Sequence, residues 1–204
     1  MSKWYPFVFL ISVVFLLSSC KNDKNEKSYV VDNSEKVLAD SLENIRILEE
    51  KQERIAQANS VMAKLMATKE TSTFSSLLVT AGISDMLLKE KGPYTILAPT
   101  NEAFAALSEE KKSEFTKPEF KNDVISLVKN HIVEGDVDSI AMVQNMKSGN
   151  YSVTTLAGKS LKVSKEGTDI VFTTDTGKKA VLGKSDIKGV NGQLHLVDSV
   201  LLLD

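Results

Sequence analysis

Hydrophobic periodicity shifts along this chain, and the shift restricts the class of fold open to it. From Tyr151 onward apolar and polar residues alternate in "YSVTTL", "SLKVS", "DIVFTT", "KAVLGKSDI" and "QLHLVDSVLLL", with turns marked by Gly158, Gly167, Gly177 and Gly192. A period of two is that of half-buried strands. Ahead of Tyr151 the apolar residues recur at helical spacing. "FSSLLVTAG" reads as a helix stopped by Gly82, and "ISDMLLKEKG" as one ending at Gly92. "PEFKNDVISLVKNHI" places Pro118 in a first turn and Phe120, Val124, Leu127, Val128 and His131 on one face. "PYTILAP" is a strand among these helices, followed by a helix that Thr100 or Asn101 would cap. Helices first and hairpins second predict an α+β domain.

Such a domain must hold together by its hydrophobic core, because the chain has a single cysteine, Cys20. About 150 residues bury enough surface for that without disulfides or metal. Cys20 falls where an apolar run, Phe7 to Leu17, gives way to "KNDKNEK". Lys3 precedes the run, which is too short to span a bilayer comfortably. The sequence Leu17-Ser18-Ser19-Cys20 resembles the bacterial lipobox, which implies a diacylglycerol on Cys20 and removal of a signal peptide, residues 1–19. Removal would take one of 25 basic side chains, Lys3, and none of the 27 acidic ones, leaving a net charge of −3. With no basic stripe, nucleic acid is excluded as a partner.

Residues 20–34 are polar and read as a flexible tether. A long helix over 35–68 follows, with Ser34 as N-cap and a length of roughly 50 Å if unbroken. Heptad phasing puts Leu38, Ser41, Ile45, Leu48, Gln52, Ile55, Asn59, Met62 and Met66 on one seam. Six of these nine are apolar, so residues 38–66 offer a stalk that self-associates, a single amphipathic helix lying partly on the domain, or a solvated spacer.

Two segments carry a family resemblance. "GPYTILAPTNEAFAAL" (residues 92–107) resembles the first signature box of the fasciclin-like domain, and "GVNGQLHLVDSVLL" (189–202) resembles the second. "LVKNHIVEG" stands between them where the family has its Tyr-His segment, with Asn130 in place of the tyrosine. The resemblance spans residues 58–204 and implies helices packed on a β-rich wedge of two sheets; the long helix read above precedes it. It marks Thr100, Asn101, Phe104, His131, Asn191, Gly192, His195 and Asp198 as structural residues, with His131 bonding near the first box. From the residues alone, Thr100 or Asn101 caps a helix, Phe104 enters the core, and Asn191-Gly192 is a hairpin-turn dipeptide.

Catalytic constellations are not legible. Two histidines cannot supply three or four metal ligands, and Glu134, Asp136 and Asp198 lack a ligand spacing. "DVDSIA" lacks the glycine of a calcium loop, "GKKAVLGKS" lacks phosphate-loop spacing, and no Gly-x-Ser-x-Gly occurs. No cofactor is expected. The sequence reads as a lipid-anchored adhesion or interaction module of the cell envelope, without catalysis, whose partner is a protein or glycan at the cell surface. A carbohydrate-binding accessory lipoprotein and a hydrolase with an unrecognised site are the alternatives. "CKNDKNE" loosely resembles the acidic export signal of Bacteroidetes surface lipoproteins, which places the chain on the outer membrane, facing outward.

Overall fold

The computed structural model describes residues 26–202, with side chains from Asn33 to Leu202. The signal peptide and the lipidation of Cys20 lie outside the described residues. Contacts divide the chain into two units, 1–48 and 49–204.

The first helix, α1 (Glu26–Ala58), begins earlier and ends sooner than the sequence reading has it. No glycine or proline occurs between 26 and 58, so the segment 26–34, expected as tether, continues the helix, and Ser34 is interior to it rather than its N-cap. The expected helix over 35–68 is broken at Asn59–Ser60. Asn59 turns back to donate to the Ile55 carbonyl, while the Ser60 hydroxyl accepts from Ala63 N and starts α2 (Val61–Ala67).

Five more helices and one strand follow before the chain returns to strands: α3 (Ser72–Thr80), α4 (Ser84–Lys89), β1 (Tyr94–Pro99), α5 (Asn101–Ala105), α6 (Glu109–Glu114) and α7 (Lys121–Asn130). Then come β2 (Ile132–Glu134), α8 (Ser139–Met146), β3 (Tyr151–Thr154), β4 (Ser160–Glu166), β5 (Asp169–Thr173), β6 (Lys179–Val181), β7 (Ile187–Gly189) and β8 (Gly192–Val197). Gly82 follows α3 at φ +73, the left-handed stop its position predicts.

Two four-stranded sheets form, ordered β2-β1-β8-β7 and β3-β4-β5-β6. The central pair of the first, β1 and β8, is parallel and runs in register from Tyr94↔Gly192 to Pro99↔Val197. Strands so placed are covered on both faces, and their side chains sort by alternation. Ile96, Ala98, Leu194 and Leu196 enter a core with Leu65 and Met62 of α2, Phe74 and Leu78 of α3, and Val128 of α7. Leu97 and Val197 point the other way, into a second core with Leu161, Val163, Phe172 and Met142. Bridges at Val133↔Thr155 and Leu182↔Val197 join the two sheets. The fold is the α+β arrangement of helices on two sheets that the sequence implies.

Candidate functional site

The two boxes converge because β1 and β8 pair, and each polar residue singled out in the sequence has an identifiable place. Thr100 and Asn101 are adjacent, yet they cap different helices. The Thr100 hydroxyl accepts from Ala103 N and closes the start of α5. Asn101 reaches across to α3, whose own N-cap Thr71 makes no side-chain cap bond. Its Oδ1 accepts from Thr73 N (3.0 Å) and the Ser72 hydroxyl (3.2 Å), while Nδ2 donates to Lys69 O (2.9 Å). We expect Thr100→Ala and Asn101→Ala each to lower stability by about 1 kcal/mol. The losses should add in the double variant, since two helices are uncapped; urea denaturation of the three variants checks this.

Phe104 lies in the core beside Phe74 (ring centroids 6.5 Å apart) and edge-on to Phe115 (6.0 Å). Asn191 does not serve the turn in the way expected. The only non-glycine residue with positive φ among those described is Asp186, so Asn191-Gly192 does not form a type I′ turn. Instead Asn191 is buried as a backbone clamp. Its Oδ1 accepts from Val61 N (2.8 Å), and Nδ2 donates to Leu87 O and Glu90 O. The same turn donates Val190 N to Asn59 O, so it holds the break between α1 and α2 from more than a hundred residues away. Gly192 sits against the Tyr94 backbone. Asp198 accepts from Val181 N at 2.8 Å and ties β6 to the end of β8.

Both histidines are fully buried, and their partners fix the tautomers. His131 Nδ1–H donates to Leu127 O (2.8 Å), and Nε2 accepts from Leu201 N (3.0 Å). The hydrogen bond expected near the first box runs through the backbone, the His131 carbonyl accepting from Leu97 N, while the ring lies on the helix side, 5.4 Å from Phe74. Burial pushes its pKa down to about 4, against a smaller upward pull from Leu127 O. The neighbouring Asn130 is buried too, and its Oδ1 has no partner among the described residues.

His195 faces the opposite core. Nδ1 accepts from Asp186 N (3.1 Å), and Nε2–H donates to Val137 O (2.8 Å). Burial lowers its pKa, opposed by the Val137 carbonyl and by Asp186, Asp138 and Asp136. Thr95 and Gln193 complete the row: Thr95 Oγ1 donates to Gly135 O and accepts from Val137 N, and Gln193 donates to Asp136. Thus three side chains of β1 and β8 hold the 135–138 loop. The loop's other acid, Asp138, accepts from Ala141 N as the N-cap of α8. Burial raises the Asp186 carboxyl, but hydrogen bonds from the Ser139 side chain and backbone and from Ser185 outweigh it and hold its pKa below the ordinary value. Among the described residues no group of three or more His, Cys, Asp or Glu could hold a metal ion.

A groove of about 670 Å³ opens between α3 and the α5–α6 segment. Ser72, Ser76 and Thr80 line it together with Phe104 and Phe115, and the three hydroxyls donate to Asn101 Oδ1, Ser72 O and Ser76 O. The sequence reading missed this groove, although Ser72, Ser76 and Thr80 recur at intervals of four.

Comparison with known proteins agrees with this geometry. Protein sll1483 of Synechocystis sp. is 32% identical over 153 residues, covering 72% of this chain and 77% of that one. Human periostin is 29% identical over 142 residues, and the ig-h3 protein induced by transforming growth factor-beta in Sus scrofa 30% over 135. The match covers 70% and 65% of this chain but only 16% and 18% of those longer proteins. The solved FAS1 domain pair of the insect cell adhesion molecule fasciclin I superposes with a TM-score of 0.56 at 19% identity, over 71% of this chain and 51% of that one. The fasciclin domain model matches residues 69–203, two thirds of the sequence, and the chain belongs to the fasciclin domain family.

Proposed function

We propose that this chain is a lipid-anchored module of the cell envelope that binds a protein or glycan at the cell surface and turns over no substrate. The observation that carries the reading is how the signature residues are used. Thr100, Asn101, Asn191, His195 and Asp198 spend their polar atoms on backbone groups of neighbouring elements. The boxes thereby build the scaffold, and recognition falls to the surface the scaffold presents. A fasciclin relative described as a cell adhesion molecule supports the same class of role.

Attachment is through acylated Cys20 to the outer membrane, facing outward. Cells carrying the anchor but lacking residues 70–204 should lose adhesion or matrix retention. Cys20→Ala should leave the detergent phase, and protease added to intact cells should digest the wild type. Adhesion unchanged by the deletion would overturn the reading, as would turnover of an envelope substrate by the purified chain. The groove beside α3 favours glycan as the second reading, since hydroxyls and aromatic rings line it together, as a sugar's polar edge and apolar face require. Saturable oligosaccharide binding lost in Ser76→Leu would select it.

A further inference from the structure

We propose that α1 is a dimerisation helix whose occupant is the α1 of a second copy. Val37, Leu38, Leu42, Ile45, Ile47, Leu48 and Ile55 are each 48–61% exposed. A row of this kind on a soluble helix marks an interaction surface. It is organised. Between 38 and 58 the a and d positions are Leu38, Ser41, Ile45, Leu48, Gln52 and Ile55, and none of the eight charged residues of that span falls on them. The Glu43–Arg46 ion pair, for example, sits off the seam. Four apolar layers with two uncharged polar ones are what a short two-stranded coiled coil uses.

The seam also matches itself. Parallel and in register, each layer meets its own kind, and Gln52 meets an amide that can both donate and accept. Antiparallel about the midpoint of the 38–55 seam, Leu38 meets Ile55, Ile45 meets Leu48, and Gln52 meets Ser41. Apolar faces apolar and polar faces polar in either direction, which an unrelated partner would have to reproduce by accident. A lipid surface fits less well, because residues 33–58 carry six acidic against four basic side chains. The seam is shorter than the 38–66 of the sequence reading: α1 ends at Ala58, and Met62 is buried in the domain core. The proposal is independent of lipidation and of what the domain binds.

The test uses the full chain in detergent, with micelles in excess over protein. Light scattering should give twice the protein mass of the Ile45→Glu/Leu48→Glu double variant, while the thermal transition of the domain stays the same, both side chains being half-exposed. Monomeric wild type, or a double variant that remains dimeric, would overturn the proposal. In a Cys20→Ser background, Ile45→Cys should cross-link to itself if the helices are parallel. It should cross-link to a Leu48→Cys chain if they are antiparallel. Glu43→Cys, on the outer face, should do neither. Either cross-link supports the dimer, and cross-linking at Glu43→Cys alone or at no position refutes it. Loss of vesicle binding by the double variant, with monomeric wild type, would assign the face to a membrane instead.

Discussion

Alanine at Gly192 is expected to cost roughly 3–5 kcal/mol, from a strained backbone and an overpacked contact together. That is a large part of the 5–15 kcal/mol that holds a typical domain folded, so a large unfolded fraction should accompany it. Gly192 has φ +155, and a Cβ there would run into the backbone N, C and O of Tyr94. Tyr94 cannot yield cheaply. It opens β1 in register with Gly192, its N–H donates to Asn191 O at 3.0 Å, and β1 is bound on its other side by β2. Moving it would loosen the parallel ladder on which both cores rest. Gly158→Ala is the matched control, since φ there is +74 but the space around it is open. Its cost should be about 1 kcal/mol, the backbone term alone. Urea midpoints of the two variants separate the effects, and equal losses would refute the close approach as the cause.

Legibility followed the range of the interaction that decides each element. Helices α3, α4 and α7 and strands β3 to β5 were readable because each carries its own period and its own stop. Helix α8 was not. It has eight residues, only Met142 of them is buried, and Ile140 is 66% exposed, so no apolar face marks it. The break after α1 escaped for another reason: Asn59-Ser60 is no strong breaker, and the turn at 189–191 grips it from the far end of the chain. The parallel pairing of β1 with β8 was likewise invisible, because both strands are buried on two faces and alternation says nothing about a partner. Of the signature residues, Thr100 and Phe104 act within their own helix and could be placed from spacing. Asn101, Asn191 and His131 act on distant backbone, and only the fold says on which.

Mild acid, below about pH 6.5, is expected to destabilise this protein through a buried histidine. His131 is buried with Leu127 O on one ring nitrogen and Leu201 N–H on the other. Protonation of Nε2 would set two N–H groups against each other in an apolar core, so the folded chain resists it and its pKa falls to about 4. The unfolded chain binds that proton near pH 6.5. Between these values the unfolded state holds one proton more, and stability rises with pH. The contribution is complete above about pH 6.5, declines by about 1.4 kcal/mol per pH unit below it, and reaches about 3 kcal/mol of loss near pH 4. His195, whose pKa is lowered by burial, adds in the same direction. The depressed Asp186 carboxyl acts in a lower window: its stabilisation is present above the ordinary carboxylate value and disappears as pH falls through its folded value. Unfolding free energies from urea titrations between pH 7 and 4.5 test the histidine term. The wild type should lose stability more steeply than His131→Gln, by close to one proton's worth of slope, although the variant is the weaker protein at neutral pH. Parallel slopes would mean that His131 takes up its proton in the folded state, and the buried pairing with Leu201 would then have to open in acid.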